Sequence, residues 1–469
     1  MFTAGSNIAQ VPVTTFLQPH FSFPLISLSL IKIIIMDRRR FMLASAGTLG
    51  SLSFLSAINK TFAAELESQV NRVENMSAEA AAEDEDFWGW VRESFTVSPN
   101  VINLNNGGVS PQPKVVQDAH IRFYQYCNEA PSYFMWRILD QGREGLRQKL
   151  ADLAGVSTEE ICINRNSTEG LNTVIFGMNL KAGDEVVLSK YDYPNMMNAW
   201  KQREKREGIK LVWIDIPQPT EDDKTIVDLY AKAMTSKTKV VYVTHMINWS
   251  GNIVPVKAIA DMAHAKGAEV IVDAAHSFGQ FDFKLEDTGA DYLAASLHKW
   301  LCAPFGSGLL YIKKDKIKNI WPLLSAPYPE SEDIRKFENL GTRNMAAEMA
   351  IGAAVDFHNV IGAKRKEARL RYLKNYWVEK AVKLKGAQVC TSLKPQYSCA
   401  LANFGLENWK ANDIESRLYD KYKIHTTPIV LEKINGIRVT PSVYTNLYDL
   451  DLLVKGLTAI SSSPPPVGK

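Results

Sequence analysis

Through the middle of the chain, short apolar runs closed by polar residues alternate with stretches of helical spacing. Residues 161–163, 183–188, 210–215, 238–244, 270–272, 293–295 and 309–312 read as strands. Between them, 171–178, 225–234 and 256–264 carry apolar residues at the interval of a helix face. Upstream, Leu146, Leu150 and Leu153 mark a helix over 142–154. Strands apolar on both faces that alternate with helices predict a mostly parallel sheet covered on both sides, an α/β fold. Ahead of it, residues 101–104 form a short strand, and Asn105, Asn106, Gly107 and Gly108 turn the chain before a helix that follows Pro111.

The pattern changes after residue 345. Long helices over 345–360 and 365–382 are followed by strands at 387–391, 398–404 and 438–443, with helices over 412–422 and 447–457. This predicts a smaller C-terminal α+β domain over 346–469 beside a large domain over 101–345. Residues 65–86 are acidic and alanine-rich, an exposed linker or first helix. Phe87, Trp88, Trp90 and Phe95 then read as a segment packed onto the body, within an N-terminal segment over 65–100.

Composition narrows the function. A chain of 469 residues with a formal charge of +3 has no basic tract interleaved with aromatics, so nucleic acid is not an expected partner. The five cysteines are irregularly spaced, which predicts neither a metal site nor a disulfide framework. Residues 1–64 read as a leader: Asp37, Arg38, Arg39, Arg40 and Phe41 precede a weakly apolar run and a small-residue zone. This is similar to a twin-arginine export signal, with Met36 a second possible start. The expectation is a soluble protein carried by the twin-arginine export machinery to the periplasm.

The strand ends carry the chemistry. The run 270–272 ends in Asp273, with His276 after it, and the run 293–295 ends in Ser296, His298 and Lys299. Ligands of open α/β sheets bind outside the carboxyl ends of strands, so these side chains are expected in one cleft. A lysine amine beside a carboxylate suits an aldehyde cofactor with a basic ring nitrogen: Lys299 would hold the aldehyde and Asp273 the ring nitrogen. Ser167 and Thr168, between strand 161–163 and the helix after it, read either as an ordinary helix N-cap or as an anion site that would hold a phosphate. Tyr193, after strand 183–188, is placed to lie on a ring; Asn248, after strand 238–244, and His276 could reach a ring oxygen. Gly341 and Thr342 resemble a second anion-binding turn. Arg438, in an apolar strand, wants a carboxylate, either an internal partner or that of an amino acid. Gly107 and Gly108 let the turn that holds Asn106 approach a ligand closely.

Asp273-Ala274-Ala275-His276 followed by Ser296-Leu297-His298-Lys299 resembles the class V group of fold-type I pyridoxal phosphate enzymes, which includes isopenicillin N epimerases and cysteine desulfurases. The opening Asn103-Leu104-Asn105-Asn106-Gly107-Gly108 looks closest to the isopenicillin N epimerase branch. The resemblance implies pyridoxal 5'-phosphate as cofactor, Lys299, Asp273 and His298 as catalytic residues, and Ser167, Thr168, Tyr193, Asn248, His276 and Ser296 as further cofactor contacts. It implies Gly341 and Thr342 on a partner subunit's phosphate in a homodimer, and Arg438 and Asn106 on the substrate. The expected reaction is epimerisation or transamination of an amino acid, with elimination by a lyase or desulfurase as the alternative and an inactive binding protein as a further one. Desulfurases of this class carry a catalytic cysteine before the carboxylate arginine. Here His425, Thr426, Thr427 and Pro428 occupy that region, and no cysteine follows Cys399.

Overall fold

The computed structural model describes residues 68–466, all within one compact unit. The leader, with its paired arginines, lies outside the described residues. The strands are β1 (Ile102–Asn103), β2 (Ile161–Asn164), β3 (Glu185–Ser189), β4 (Lys210–Ile214), β5 (Thr238–Thr244), β6 (Glu269–Asp273) and β7 (Tyr292–Ser296). They continue with β8 (Gly308–Ile312), β9 (Ala387–Val389), β10 (Ala402–Leu406), β11 (Ile424–His425), β12 (Thr427–Leu431) and β13 (Ile434–Val439).

Seven strands form the main sheet in the order β2-β8-β7-β6-β5-β3-β4, and only β8 runs against the rest. Successive residues of the central strands go to opposite cores, as period two requires. Val270 and Val272 of β6 and Leu293 of β7 join one core, with Leu150, Ile259 and Ile351 from the helices Asp140–Ala154, Val256–Ala265 and Met345–Ile361. Ile271 and Tyr292 join the other, with Val174 and Trp200 from the helices Ser167–Gly177 and Pro194–Glu207. The sheet is therefore dry on both faces, and its polar groups emerge only at strand ends.

A second sheet, β12-β13-β10-β9, is antiparallel. One face packs with the helices Ala363–Ala381, Ala411–Tyr422 and Leu447–Ser461 around Phe404, Ile437, Val439 and Trp377. Ile429 and Ile434, by contrast, belong to a core of the main sheet. The turn after β1 is tied into this region: β1 pairs with β11, and Asn105 bridges Thr440.

The acidic N-terminal stretch is less exposed than its composition predicts. Val73, Ala81 and Ala82 are buried. Arg369 donates to the Ala82 carbonyl (2.9 Å) and pairs with Glu85. Phe87, Trp88 and Trp90 do pack onto the body, in the cluster that holds Trp300, the residue after Lys299. No helix among the described residues is long and apolar enough to cross a membrane.

Candidate active site

The carboxyl ends of β5, β6 and β7, the loop before Ser167 and the small sheet converge on one cleft. Asp273 closes β6 beside Thr244 of β5 and is 4% exposed. Its carboxylate accepts the Ala275 N–H (2.9 Å) and the Tyr242 hydroxyl (3.3 Å). Burial pushes its pKa up, while the Ala275 N–H and the charge of Lys299 oppose the rise. A carboxylate so placed is short of positive charge, and a protonated ring nitrogen would supply it.

Lys299 Nζ lies 3.1 Å from Nε2 of His276. Burial lowers the lysine pKa to about 8; Arg438 pushes the same way and Asp273 opposes. His276 is held well below its ordinary pKa by burial, then by Lys299 and Arg438, so it stays neutral and accepts from the ammonium. Its Nδ1 is buried without a partner. Gly107 stands against this ring: a Cβ there would come within 3.2 Å of His276 Cε1 and 2.9 Å of Thr440 Cγ2. Its N–H donates to the Thr440 hydroxyl (2.9 Å). A side chain at 107 would push the turn out of the cleft.

On the phosphate side, the hydroxyls of Ser167 and Ser296 are 2.9 Å apart, and the Ser167 N–H reaches Ser296 Oγ (3.0 Å). Ser167 opens its helix behind the Asn166 cap, whose side chain accepts from Glu169 N. Unpaired N–H groups of a first turn favour an anion. Thr168 is half-buried in the same turn. His298 lies 3.1 Å from the Ser307 carbonyl through Nδ1, and its own carbonyl accepts the Ser110 N–H. This fixes the loop that carries Lys299 onto the turn after β1. Burial lowers the His298 pKa.

Arg438 is 7% exposed. Its guanidinium donates to the Asn248 carbonyl (3.2 Å) and to Asn105 Oδ1 (2.9 Å). Among the described residues it pairs with no carboxylate, its Nε is unpartnered, and burial lowers its pKa to about 10. The rival expectation of an internal ion pair is not met. Asn248 is buried with its Oδ1 unpartnered, while Tyr193, 39% exposed, caps the helix Pro194–Glu207.

Asn106 departs from expectation. It is fully buried: its Nδ2 donates to the Asn103 and Thr440 carbonyls, and its Oδ1 accepts from Asn103 and the Tyr444 hydroxyl. Nothing on that side chain is left for a substrate, and Asn105 is the residue that meets Arg438. Gly341, at φ 78°, and Thr342 are exposed, and none of the hydrogen bonds of the Lys299 cluster reaches them. Sequence reasoning missed Tyr242 and Thr440, each in a run whose apolar neighbours gave no sign of a polar task.

The family model for aminotransferase class-V matches residues 102–428. This chain belongs to the class V aminotransferase family. It is 26% identical over 393 residues to an isopenicillin N epimerase of Streptomyces clavuligerus, covering 80% of this chain and 98% of that one. It is 29% identical over 385 residues to a probable cysteine desulfurase of Halalkalibacterium halodurans, covering 76% and 92%. A solved structure of a C-DES mutant with glycine covalently linked to its PLP cofactor superposes with a TM-score of 0.71 at 21% identity, covering 78% of this chain and 98% of that one. The fold is fold-type I, and the cofactor of this class V enzyme is pyridoxal 5'-phosphate. The cleft fits that group: an under-compensated carboxylate at Asp273, an Nδ1 on His276 without a partner among the described residues and free to donate, and paired hydroxyls at a helix start are complements for its ring nitrogen, ring oxygen and phosphate.

Proposed function

We propose that this class V enzyme acts at the α carbon of a free amino acid, by epimerisation or transamination. The observation that carries the reading is Arg438, a buried guanidinium with no carboxylate of its own, in the same cleft as a lysine amine of lowered pKa. A buried cation left unpaired is costly, and an amino acid carboxylate would relieve it.

When bound, pyridoxal phosphate supplies an aldehyde that condenses with amines and a ring that delocalises the electron pair of a deprotonated α carbon. Lys299 would hold the aldehyde, Asp273 would keep the ring nitrogen protonated, and Ser167, Thr168 and Ser296 would hold the phosphate. Arg438 binds the carboxylate of the incoming amino acid and so fixes where its α hydrogen points. Lys299, with a pKa near 8, is neutral often enough near neutral pH to take that proton, and His276 beside it holds the amine in place. Return of the proton to the opposite face requires a second donor, for which Tyr193 is the candidate; transamination requires only Lys299.

Elimination of a β substituent starts with the same proton removal, and the likeness to desulfurases supports it as the second reading. Formation of a persulfide on the enzyme is the disfavoured form of it. Burial raises the pKa of all five cysteine thiols, that of Cys399 to about 12, so none is a ready nucleophile. Incubating the holoprotein with L-amino acids in deuterated water separates the outcomes. Deuterium in the recovered amino acid with inversion supports epimerisation, a keto acid supports transamination, and ammonia with pyruvate supports elimination. No exchange with any amino acid would overturn the proposal. Export and a dimer that brings Gly341 and Thr342 to a second cleft belong to the same proposal, and are checked by cell fractionation and by molecular mass in solution.

A further inference from the structure

The donors around Arg438 do not end with its own nitrogens. In the small sheet Arg438 of β13 stands directly opposite Asn403 of β10 on one side and Thr427 of β12 on the other. Residues paired in this way share a face of the sheet. Two observations fix that face as the one turned to the cleft. Ile429 and Ile434, which alternate in phase with Thr427 and Arg438, belong to a core of the main sheet, whereas Ile437, Val439 and Phe404 point into the small-sheet core. Arg438 itself reaches Asn248 and Asn105.

Three atoms in this row are buried with no partner among the described residues: Arg438 Nε, Asn403 Nδ2 and Thr427 Oγ1. Asn403 is 1% exposed, and its backbone is already satisfied by the Thr391 hydroxyl and the Cys390 N–H. Two of these atoms only donate, and the hydroxyl can donate. The two donors call for acceptor oxygens, which a carboxylate presents twice over, and the hydroxyl can donate to the same group; a protonated amine offers no acceptor and would set donor against donor.

We propose that Asn403 and Thr427 complete, with Arg438, a donor row that takes the free carboxylate of the substrate in preference to ligands that lack one. The inference rests on the reading of the cleft as an amino acid site and adds two residues that choose among its ligands. Leaving such donors unmet is costly, so a carboxylate gains from each of them.

The test uses the holoprotein and two small probes with the same aminooxy nucleophile, aminooxyacetate and methoxyamine, only the first of which bears a carboxylate. The change in visible absorption of the bound cofactor gives a second-order rate for each, and their ratio measures the carboxylate preference. Wild type is expected to prefer aminooxyacetate and Arg438→Met to lose the preference. Asn403→Ala and Thr427→Val should each lower it by about five- to fiftyfold, with the methoxyamine rate unchanged. Asn403→Asp, which brings a carboxylate to the guanidinium, should lower it to the Arg438→Met level and serves if Asn403→Ala does not fold. A wild-type ratio kept by the Asn403 and Thr427 variants, with Arg438→Met still losing it, overturns the donor row and leaves the amino acid reading intact. A wild type that reacts equally with both probes overturns the carboxylate reading of Arg438 and the row with it.

Discussion

Two buried arginine sites in this molecule are built in opposite ways. Under the helix Asp140–Ala154, Arg143 and Arg147 share Glu338, with contacts of 2.9 and 2.6 Å, and Arg143 also holds Glu348 at 2.6 Å. Glu338 accepts the Ile163 N–H (2.7 Å), and Arg147 donates to the Ile161 carbonyl (2.7 Å). Every charge there has an opposite, and the cluster ties β2 to its surroundings. Arg438 is as deeply placed, yet it has two neutral oxygens for partners and a bare Nε. A buried cation whose carboxylate is built in serves the scaffold; one whose carboxylate is missing is positioned for a ligand that brings it.

The comparison can be broken most severely at the base that the cleft cation serves. Lys299→Ala should lower turnover by roughly 10³–10⁴-fold without a comparable loss of melting temperature. Retained turnover would mean that the proton is handled elsewhere. Next in size, Arg438→Met should weaken the amino acid by about 2–5 kcal/mol of binding, read as a rise in KM, with stability equal to or above wild type. A marked fall in melting temperature would show that Arg438 is a scaffold charge after all. Glu338→Gln is the converse: it takes away the carboxylate that two cations share, leaving Arg143 with Glu348 and Arg147 with the half-exposed Glu144, and should destabilise by up to about 3 kcal/mol in denaturant, with the cofactor absorption intact. The smallest effect is on pH. Lys299 must be neutral to accept a proton, and burial places its pKa near 8. kcat, which reports the complex in which the substrate amine has freed Lys299, should therefore rise with pH up to about 8 and level above it, about tenfold per unit on the acid side. A profile flat from 6 to 8 would contradict that assignment.

Much of this was legible in the sequence because the main strands are short apolar runs ending in polar residues. Asp273 and Lys299 could be assigned to one cleft from strand ends alone, and the strand 238–244 has the predicted bounds. Other features depend on register, which a period cannot reveal. The reversed direction of β8 leaves no mark in residues 308–312, and β12 was hidden by Pro428. The last small-sheet strand was expected over 438–443 and instead spans Ile434–Val439, because Gly436 and Asn435 broke its apolar pattern. Asn105 and Asn106 are adjacent amides with identical chemistry. Only the pairing of their turn with Thr440 decides that Asn106 is consumed internally and that Asn105 faces Arg438. That Arg438 has no carboxylate partner among the described residues is a fact of three dimensions.

Whether Lys299 holds the cofactor can be read directly by reducing the holoprotein with borohydride and mapping the labelled peptide by mass spectrometry. Lys366 and Lys374 are buried lysines that also have no carboxylate partner among the described residues, each with its pKa lowered by burial, so the chain offers real competitors. The cofactor mass is expected on Lys299 alone; a label on Lys366 or Lys374, or an unlabelled Lys299, would contradict that assignment.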